Sequence, residues 1–254
     1  MLKSLYIDLY KNNSENMLMW YTIIVLFISE LPVLIFTILD YMRIEELQQY
    51  RIRYNRKRIY PNNMELWDGI CKFSKCFCLV LLPLSAFGIS VYNYLDLKLY
   101  NMDVDFSYME MSVDIVLILL MSEVLFYAMH RMFHIPFLYK HIHKYHHKYK
   151  EPFALINHYL HPIETVLFFI PPVLPGIILN THIVTMWITA IMMNWNGIFI
   201  HSGYDVRMFW LSKDKKKLIL PGILEHDLHH KYFNYNYGAT FLFMDYIFGT
   251  YRNN

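Results

Sequence analysis

Five long apolar segments divide this chain and leave few folds open to it. Residues 17–39, 76–95 and 111–129 are nearly uninterrupted, and at about 1.5 Å of rise per helical residue each is of a length to cross a hydrocarbon layer of roughly 30 Å. Residues 163–179 and 183–200 follow, separated only by Asn180, Thr181 and His182, a gap that predicts a hairpin. Pro171, Pro172 and Pro175 make its first arm irregular, so that arm is expected to dip in and out of the membrane instead of crossing as one straight helix. Backbone polar groups in lipid must be satisfied within their own segment. The expected fold is therefore all-α: a polytopic membrane helical protein with about four to five membrane segments. Hydrophobic residues at 56% and charged residues at 17%, against roughly 25% in ordinary domains, exclude a disordered or collagen-like chain.

Loop charge orients these segments. Residues 43–75 carry eight basic side chains, among them Arg51, Arg53, Arg56, Lys57 and Arg58, whereas residues 96–110 carry four acids and only Lys98. By the positive-inside rule, residues 43–75, 130–160 and 201–254 are expected in the cytosol and 96–110 in the lumen. Residues 1–16 are polar and Asn-rich, without the features of a signal peptide. Glu30 and Pro32 interrupt the first apolar segment, which predicts a kink with a carboxylate facing the bundle. Residues 1–110 read as N-terminal membrane segments with a basic loop, and 111–254 as the histidine-bearing part of one integrated fold. Cys71, Cys76 and Cys78 lie too close together for a disulfide framework or a paired zinc site, and read as small apolar residues at a membrane boundary. A net charge of +2 gives no reason to expect nucleic acid, and 8 Gly with no phosphate-binding loop give none to expect nucleotide.

The histidines carry the chemistry. All 13 lie at or beyond position 130, and eight occur in three words: HRMFH (His130, His134), HKYHH (His143, His146, His147) and HDLHH (His226, His229, His230). Spacings of three and four put the imidazoles of each word on one helix face. Imidazole ligates iron, zinc, copper or nickel, so residue type does not name the metal. Ligand number says more, because eight exceed the capacity of one four-coordinate ion and suit two ions side by side. The expected topology puts all three words on one membrane face, where they can converge. His201, in HSGYD, enters the cytosol beside them and is a further ligand candidate. His161, in HPIE, is either a ligand or an outer partner of one, while His141, His158 and His182 read as structural. Glu164, Asp205 and Asp227 are the nearest acids and candidates to accept the second ring N–H of a ligating histidine. A competing class, a histidine-rich metal-binding membrane protein or transporter, would carry its ligands near the middle of its spans; here they cluster at span ends.

These words, in this order and with a hairpin between the second and third, resemble the fatty acid hydroxylase and sterol desaturase superfamily of membrane di-iron oxygenases. The likeness runs from about residue 123 to 251 and includes the flanking words FLYKHIHKYHH, HPIE, HSGYD and MDYIFGTY. HPIE and HSGYD look most like methylsterol monooxygenases, HHKYFNYNYG like sterol C-5 desaturases, and FLYKHIH followed by HH is similar to sphinganine 4-hydroxylases. The resemblance implies two iron ions held by the eight clustered histidines, with His201 and His161 as candidates for addition to them. No catalytic residue is expected beyond the metal ligands. It implies O2 as co-substrate and oxidation of an unactivated C–H bond of a bilayer lipid, most of all a 4-methylsterol, with sphingoid bases, fatty acyl chains and sterol C-5 desaturation as alternatives. The chain has no haem-binding segment of its own, so electrons are expected from a cytochrome of the b type and its reductase. The resemblance also implies an endoplasmic reticulum membrane, with a cytosolic histidine-rich helical cap. Zinc stands above ferrous iron in the Irving–Williams order and can replace it on overproduction.

Overall fold

The computed structural model describes residues 2–52, 60–87, 107–205 and 222–252, with side chains from Thr22 onward. Every regular element among them is helical, apart from one isolated bridge between Arg51 and Tyr204. Five helical segments are long and apolar enough to cross a membrane: Thr22–Met42, Asn63–Phe87, Tyr108–Phe133, Pro162–Leu179 and Ile183–His201.

Helix α1 (Leu2–Met42) runs on through Pro32, and Glu30 is buried against the bundle. Helix α2 (Asn63–Cys76) continues through a π-helical turn (Phe77–Leu81) and begins well before the expected start at residue 76. Residues 63–75 are therefore helix and not loop. Asn62 starts it, accepting from Glu65 N–H at 2.9 Å while Glu65 accepts from Asn62 N–H at 2.8 Å. The early turns carry Glu65, Asp68, Lys72 and Lys75, which hid the helix from a reading that looked for unbroken apolar sequence. The expected acidic loop at 96–106, the second span beyond residue 87, Arg53, Arg56, Lys57 and Arg58, and residues 206–221 lie outside the described residues.

Helix α3 (Tyr108–Phe133) is capped by Ser107, which accepts from Met109 N–H, while Glu110 accepts from Ser107 N–H. After it come α4 (Pro136–His141) and two 3-10 turns, His143–Lys148 and Ala154–His158. The hairpin follows. Its first arm is broken into α5 (Pro162–Leu167) and α6 (Ile170–Leu179), because Pro171 and Pro172 lack the N–H groups that would continue α5. Asn180, at φ 52°, closes α6, and His182 caps α7 (Ile183–His201) by accepting from Val184 N–H at 3.2 Å. Helices α8 (Ile223–Tyr232) and α9 (Phe243–Ile247) complete the cap.

α3 packs on α6 and α7, α1 on α7, and α8 on the end of α7. A core of Val33, Phe36, Ile156, Ile198, Ile200 and Tyr204 sits where the membrane helices meet the cap. Outer faces remain apolar and exposed, at Phe27, Leu34, Leu79, Val116 and Ile178 among others, as lipid contact requires. A buried clamp fixes the chain after α1 to the HSGYD word. Arg51 donates to Asp40 at 2.7 Å and to the Ser202 carbonyl at 3.3 Å, and lies over the Tyr204 ring. Two backbone bonds, Ile52 N–H to Gly203 O at 2.9 Å and Asp205 N–H to Tyr50 O at 2.7 Å, complete it. Removing either charge from this pair would cost about 3–5 kcal/mol.

Candidate metal centre

Nine histidines converge beneath the cap in two adjoining groups. His130, His134, His143, His147 and His229 form one, and His146, His201, His226 and His230 the other; within each, one nitrogen per ring lies within 4.8 Å of all the others. The expectation that each sequence word faces one way needs correction. HRMFH does face one way, into the first group; HKYHH, a 3-10 turn with a kink at His147 (φ −79°, ψ 16°), has His143 and His147 in the first group and His146 in the second. HDLHH is α-helical, so His226 and His230, four apart, share the second group while His229 turns to the first. The two groups touch, with the His147 and His230 rings 4.6 Å apart between centroids.

Ring orientation follows from what each Nδ1 meets. His130 Nδ1–H donates to the Tyr237 carbonyl at 2.7 Å, His229 Nδ1–H to the Tyr235 carbonyl at 2.7 Å, and His201 Nδ1–H to the Gly197 carbonyl at 2.6 Å. His143 Nδ1–H donates to Glu164. A carbonyl can only accept, so the three carbonyl bonds fix the tautomers of His130, His229 and His201 and leave Nε2 as a lone pair. The Nε2 atoms of His143 and His229 stand 3.0 and 3.2 Å from Nε2 of His147, and those of His226 and His146 stand 2.9 and 3.2 Å from Nε2 of His201. Nitrogens about 2.0–2.1 Å from one ion sit about 3 Å apart, and lone pairs facing one another at that distance lack only the cation. His134 Nε2 and both ring nitrogens of His230 are buried without a hydrogen-bond partner. The residues present therefore fit a pair of metal ions.

Burial, reinforced by neighbouring imidazoles, pushes His134 down to about 2 and holds His143, His146, His147, His226, His229 and His230 well below the usual 6.5. Neutral rings are the form that ligates.

The supporting acids are only partly those expected. Glu164 is one, holding His143. Asp205 belongs to the clamp through its backbone, and Asp227, though buried, holds no ring of these groups: His226 Nδ1 has no partner. His161 joins neither group, because it caps α5, where its Nδ1 accepts from Ile163 N–H at 3.3 Å. His158 pairs with Glu30, His182 caps α7, and His141 is exposed at the end of α4. Two acids that sequence reasoning passed over organise the accepting carbonyls. Glu123 accepts from Ala239 and Thr240 N–H at 3.0 and 2.9 Å, and Asp245 accepts from Tyr237 and Gly238 N–H at 2.9 and 2.8 Å. Together they fix the loop whose Tyr235 and Tyr237 carbonyls hold His229 and His130. A carboxylate well inside an apolar span was the available signal for Glu123. Gly222 begins α8 at φ 118°, with the Ala239 carbonyl 2.8 Å from where a Cβ would stand, so no other residue fits there.

A cavity of about 250 Å³ opens between α1, α3, α6 and α7 and reaches His130, His143, His146, His201 and His226. Phe126, Phe168, Pro172 and Ile200 are among its apolar walls.

Apolar membrane helices carrying two buried histidine groups beside a cavity define a class of membrane-embedded metal-site proteins. Comparison makes the class specific: the fatty acid hydroxylase family model matches residues 115–250, more than half of the chain, and the chain belongs to that family. It is 38% identical over 128 residues to methylsterol monooxygenase 1 of Rattus norvegicus, covering 49% of this chain and 41% of the relative. It is 31% identical over 147 residues to methylsterol monooxygenase 2-2 of Arabidopsis thaliana, covering 57% and 54%. A very-long-chain aldehyde decarbonylase of Oryza sativa is 33% identical over 139 residues, covering 52% and 51%. The chain thus spans about half the length of the curated relatives it matches. No solved structure matches it.

Proposed function

We propose that this protein is a membrane-bound non-haem di-iron oxidoreductase that hydroxylates or desaturates a bilayer lipid, with a 4-methylsterol as the favoured substrate. The observation that carries the reading is the pair of buried histidine groups bordering an apolar cavity between membrane helices. The names of the rat and Arabidopsis relatives support the sterol. His130, His134, His143, His147 and His229 would hold one ion, and His146, His201, His226 and His230 the other. When bound, the iron pair supplies the O2 activation that an unactivated C–H bond demands, with electrons from a separate cytochrome of the b type and its reductase.

The chain's own residues do the rest. The carbonyls of Tyr235, Tyr237 and Gly197, with Glu164, aim four Nε2 lone pairs inward before any ion arrives. Burial keeps the rings unprotonated, and the apolar walls bed the hydrocarbon and exclude water. Loop charge favours a site facing the cytosol, and the family resemblance favours an endoplasmic reticulum membrane.

Two measurements test the reading. Elemental analysis of the detergent-purified protein is expected to find two ions per chain, and lipid profiling by mass spectrometry of cells with and without the protein is expected to find an oxidised lipid. A reproducible value near one ion or none overturns the two-ion site, and an unchanged lipid profile with the electron donors present overturns the activity.

A further inference from the structure

The cavity has a second polar wall, away from the metal ligands. Glu30 of α1 accepts from His158 Nε2–H at 2.9 Å and from Asn194 Nδ2 of α7 at 3.1 Å. Asn194 is itself set in place, since its Nδ2 also donates to the Ser29 carbonyl at 2.9 Å and its Oδ1 accepts from Asn157 at 3.2 Å. Glu30, His158, Asn157 and Asn194 all line the cavity, and Glu30 and His158 are buried. An acid and a base in contact inside a membrane bundle are costly to keep where apolar side chains would pack as well, which makes such a pair a functional candidate.

The chemistry of this wall limits what it can bind. The pair carries no net charge whichever partner holds the proton. No lysine or arginine is among the described residues that line the cavity, so a carboxylate or phosphate at this wall, away from the histidine groups, would find no free cation and would face Glu30. A carboxylate has about four acceptor positions, and His158 and Asn194 occupy two, which leaves room to accept from an O–H donor. The same cavity reaches five of the clustered histidines, so one lipid can touch both places.

We propose that Glu30, held by His158 and Asn194, anchors the polar end of the lipid by accepting a hydrogen bond from an uncharged hydroxyl, and so selects a lipid alcohol over a fatty acid, a phospholipid or an acyl thioester. This rests on the reading of the cavity as the lipid site and names the head group that site takes. His158 and Asn194 are positioning residues in it; Glu30 is the group that meets the ligand.

Binding without turnover tests it. The full-length protein in nanodiscs, with no electron donor, is titrated with cholesterol and its 3-methyl ether, with hexadecanol and its methyl ether, and with palmitate. In at least one pair the alcohol is expected to bind about tenfold or more tighter than the ether, the range for one hydrogen bond to a charged group, and palmitate is expected to bind more weakly than hexadecanol. In Glu30→Gln the alcohol advantage is expected to fall to about threefold or less with ether binding unchanged, which also shows that the variant is folded. Equal binding of alcohol and ether in both pairs, a preference for palmitate, or no binding of any probe overturns the proposal on the unmodified protein alone. An alcohol advantage that survives in Glu30→Gln overturns the assignment to Glu30. Lipid oxidation is scored separately: alcohol selectivity without oxidation would sink the proposed function and leave the anchor, and oxidation without selectivity would do the reverse.

Discussion

The two histidine groups share a wall but are built differently. In the five-histidine group, three rings are pinned from outside: His130 by Tyr237, His229 by Tyr235 and His143 by Glu164. In the four-histidine group His201 is pinned by the Gly197 carbonyl, while His226 Nδ1 and both nitrogens of His230 lack partners, as do His134 Nε2 and His147 Nδ1 in the first group. Outer partners orient a ligand and raise its basicity, so the first group is the more organised in advance and the second relies more on its ion for order. The two sites should therefore differ in affinity even though both are all-imidazole.

The largest effect that can break this comparison comes from removing one ligand. His146→Ala is expected to abolish lipid oxidation and to lower metal content from two ions per chain to about one, because the five-histidine group is untouched. Loss of both ions would mean that the groups form a single unit and that their difference has no consequence. Chelation ranks next. Dialysis against a graded series of chelator is expected to remove metal in two steps, with the sparsely supported group emptying first and oxidation ending at that first step. Spectroscopy or metal analysis along the series would show a single step if the outer hydrogen bonds count for nothing.

Acid sharpens the same contrast from the protein side. His134, at about 2, and the six other rings pushed well below 6.5 are neutral when folded, but the unfolded chain takes up protons as pH falls through about 6.5. The unfolded state then binds more protons at these rings than the folded one, so the stability they contribute is lost as pH falls below about 6.5. Thermal unfolding of the metal-free protein is expected to show Tm falling between pH 7 and pH 5. A Tm that rises over that interval would contradict the burial of these rings.

Much of this was legible in the sequence, for identifiable reasons. Apolar runs announced the spans because lipid tolerates little else, and three residues between two runs could only turn, as Asn180 and His182 do. The histidine words announced a candidate metal site because eight imidazoles have few other uses together. What stayed hidden was whatever depended on turn geometry or on distant partners. Helical spacing could not tell that HKYHH and HDLHH would each divide its rings between two groups, with the residues four apart together and the third in the other group. Nor could it show that the rings would be held mostly by backbone carbonyls, which every residue has and no motif marks. Glu123 and Asp245 act through those carbonyls from 116 and 8 residues away in sequence.

Glu164→Gln probes the better-supported group with a smaller change. The side chain keeps its shape but loses the carboxylate that accepts from His143. Metal affinity of the five-histidine group is expected to fall by about ten- to a hundredfold, the usual cost of losing an outer partner, while the other group keeps its ion. Isothermal titration of the metal-free protein resolves the two sites. A loss confined to the four-histidine group would invert the comparison.

The smallest effect is expected at His161, which distinguishes proximity in sequence from membership in the site. It stands three residues before Glu164, and its word HPIE belongs to the resemblance, yet its Nδ1 is taken up by the N–H of Ile163 at the start of α5. His161→Ala removes that cap, a change of about 1 kcal/mol when the cap is a good one, and the 3.3 Å bond here is long. Two ions per chain should remain, and oxidation should fall only as far as α5 shifts Glu164 and, through it, His143. His161→Asn, which restores a capping side chain but no imidazole, should recover that loss. Should Asn fail where His succeeds, with one ion missing, the ring would have to reach the five-histidine group once metal is bound, giving that group a sixth imidazole and widening the difference between the two sites.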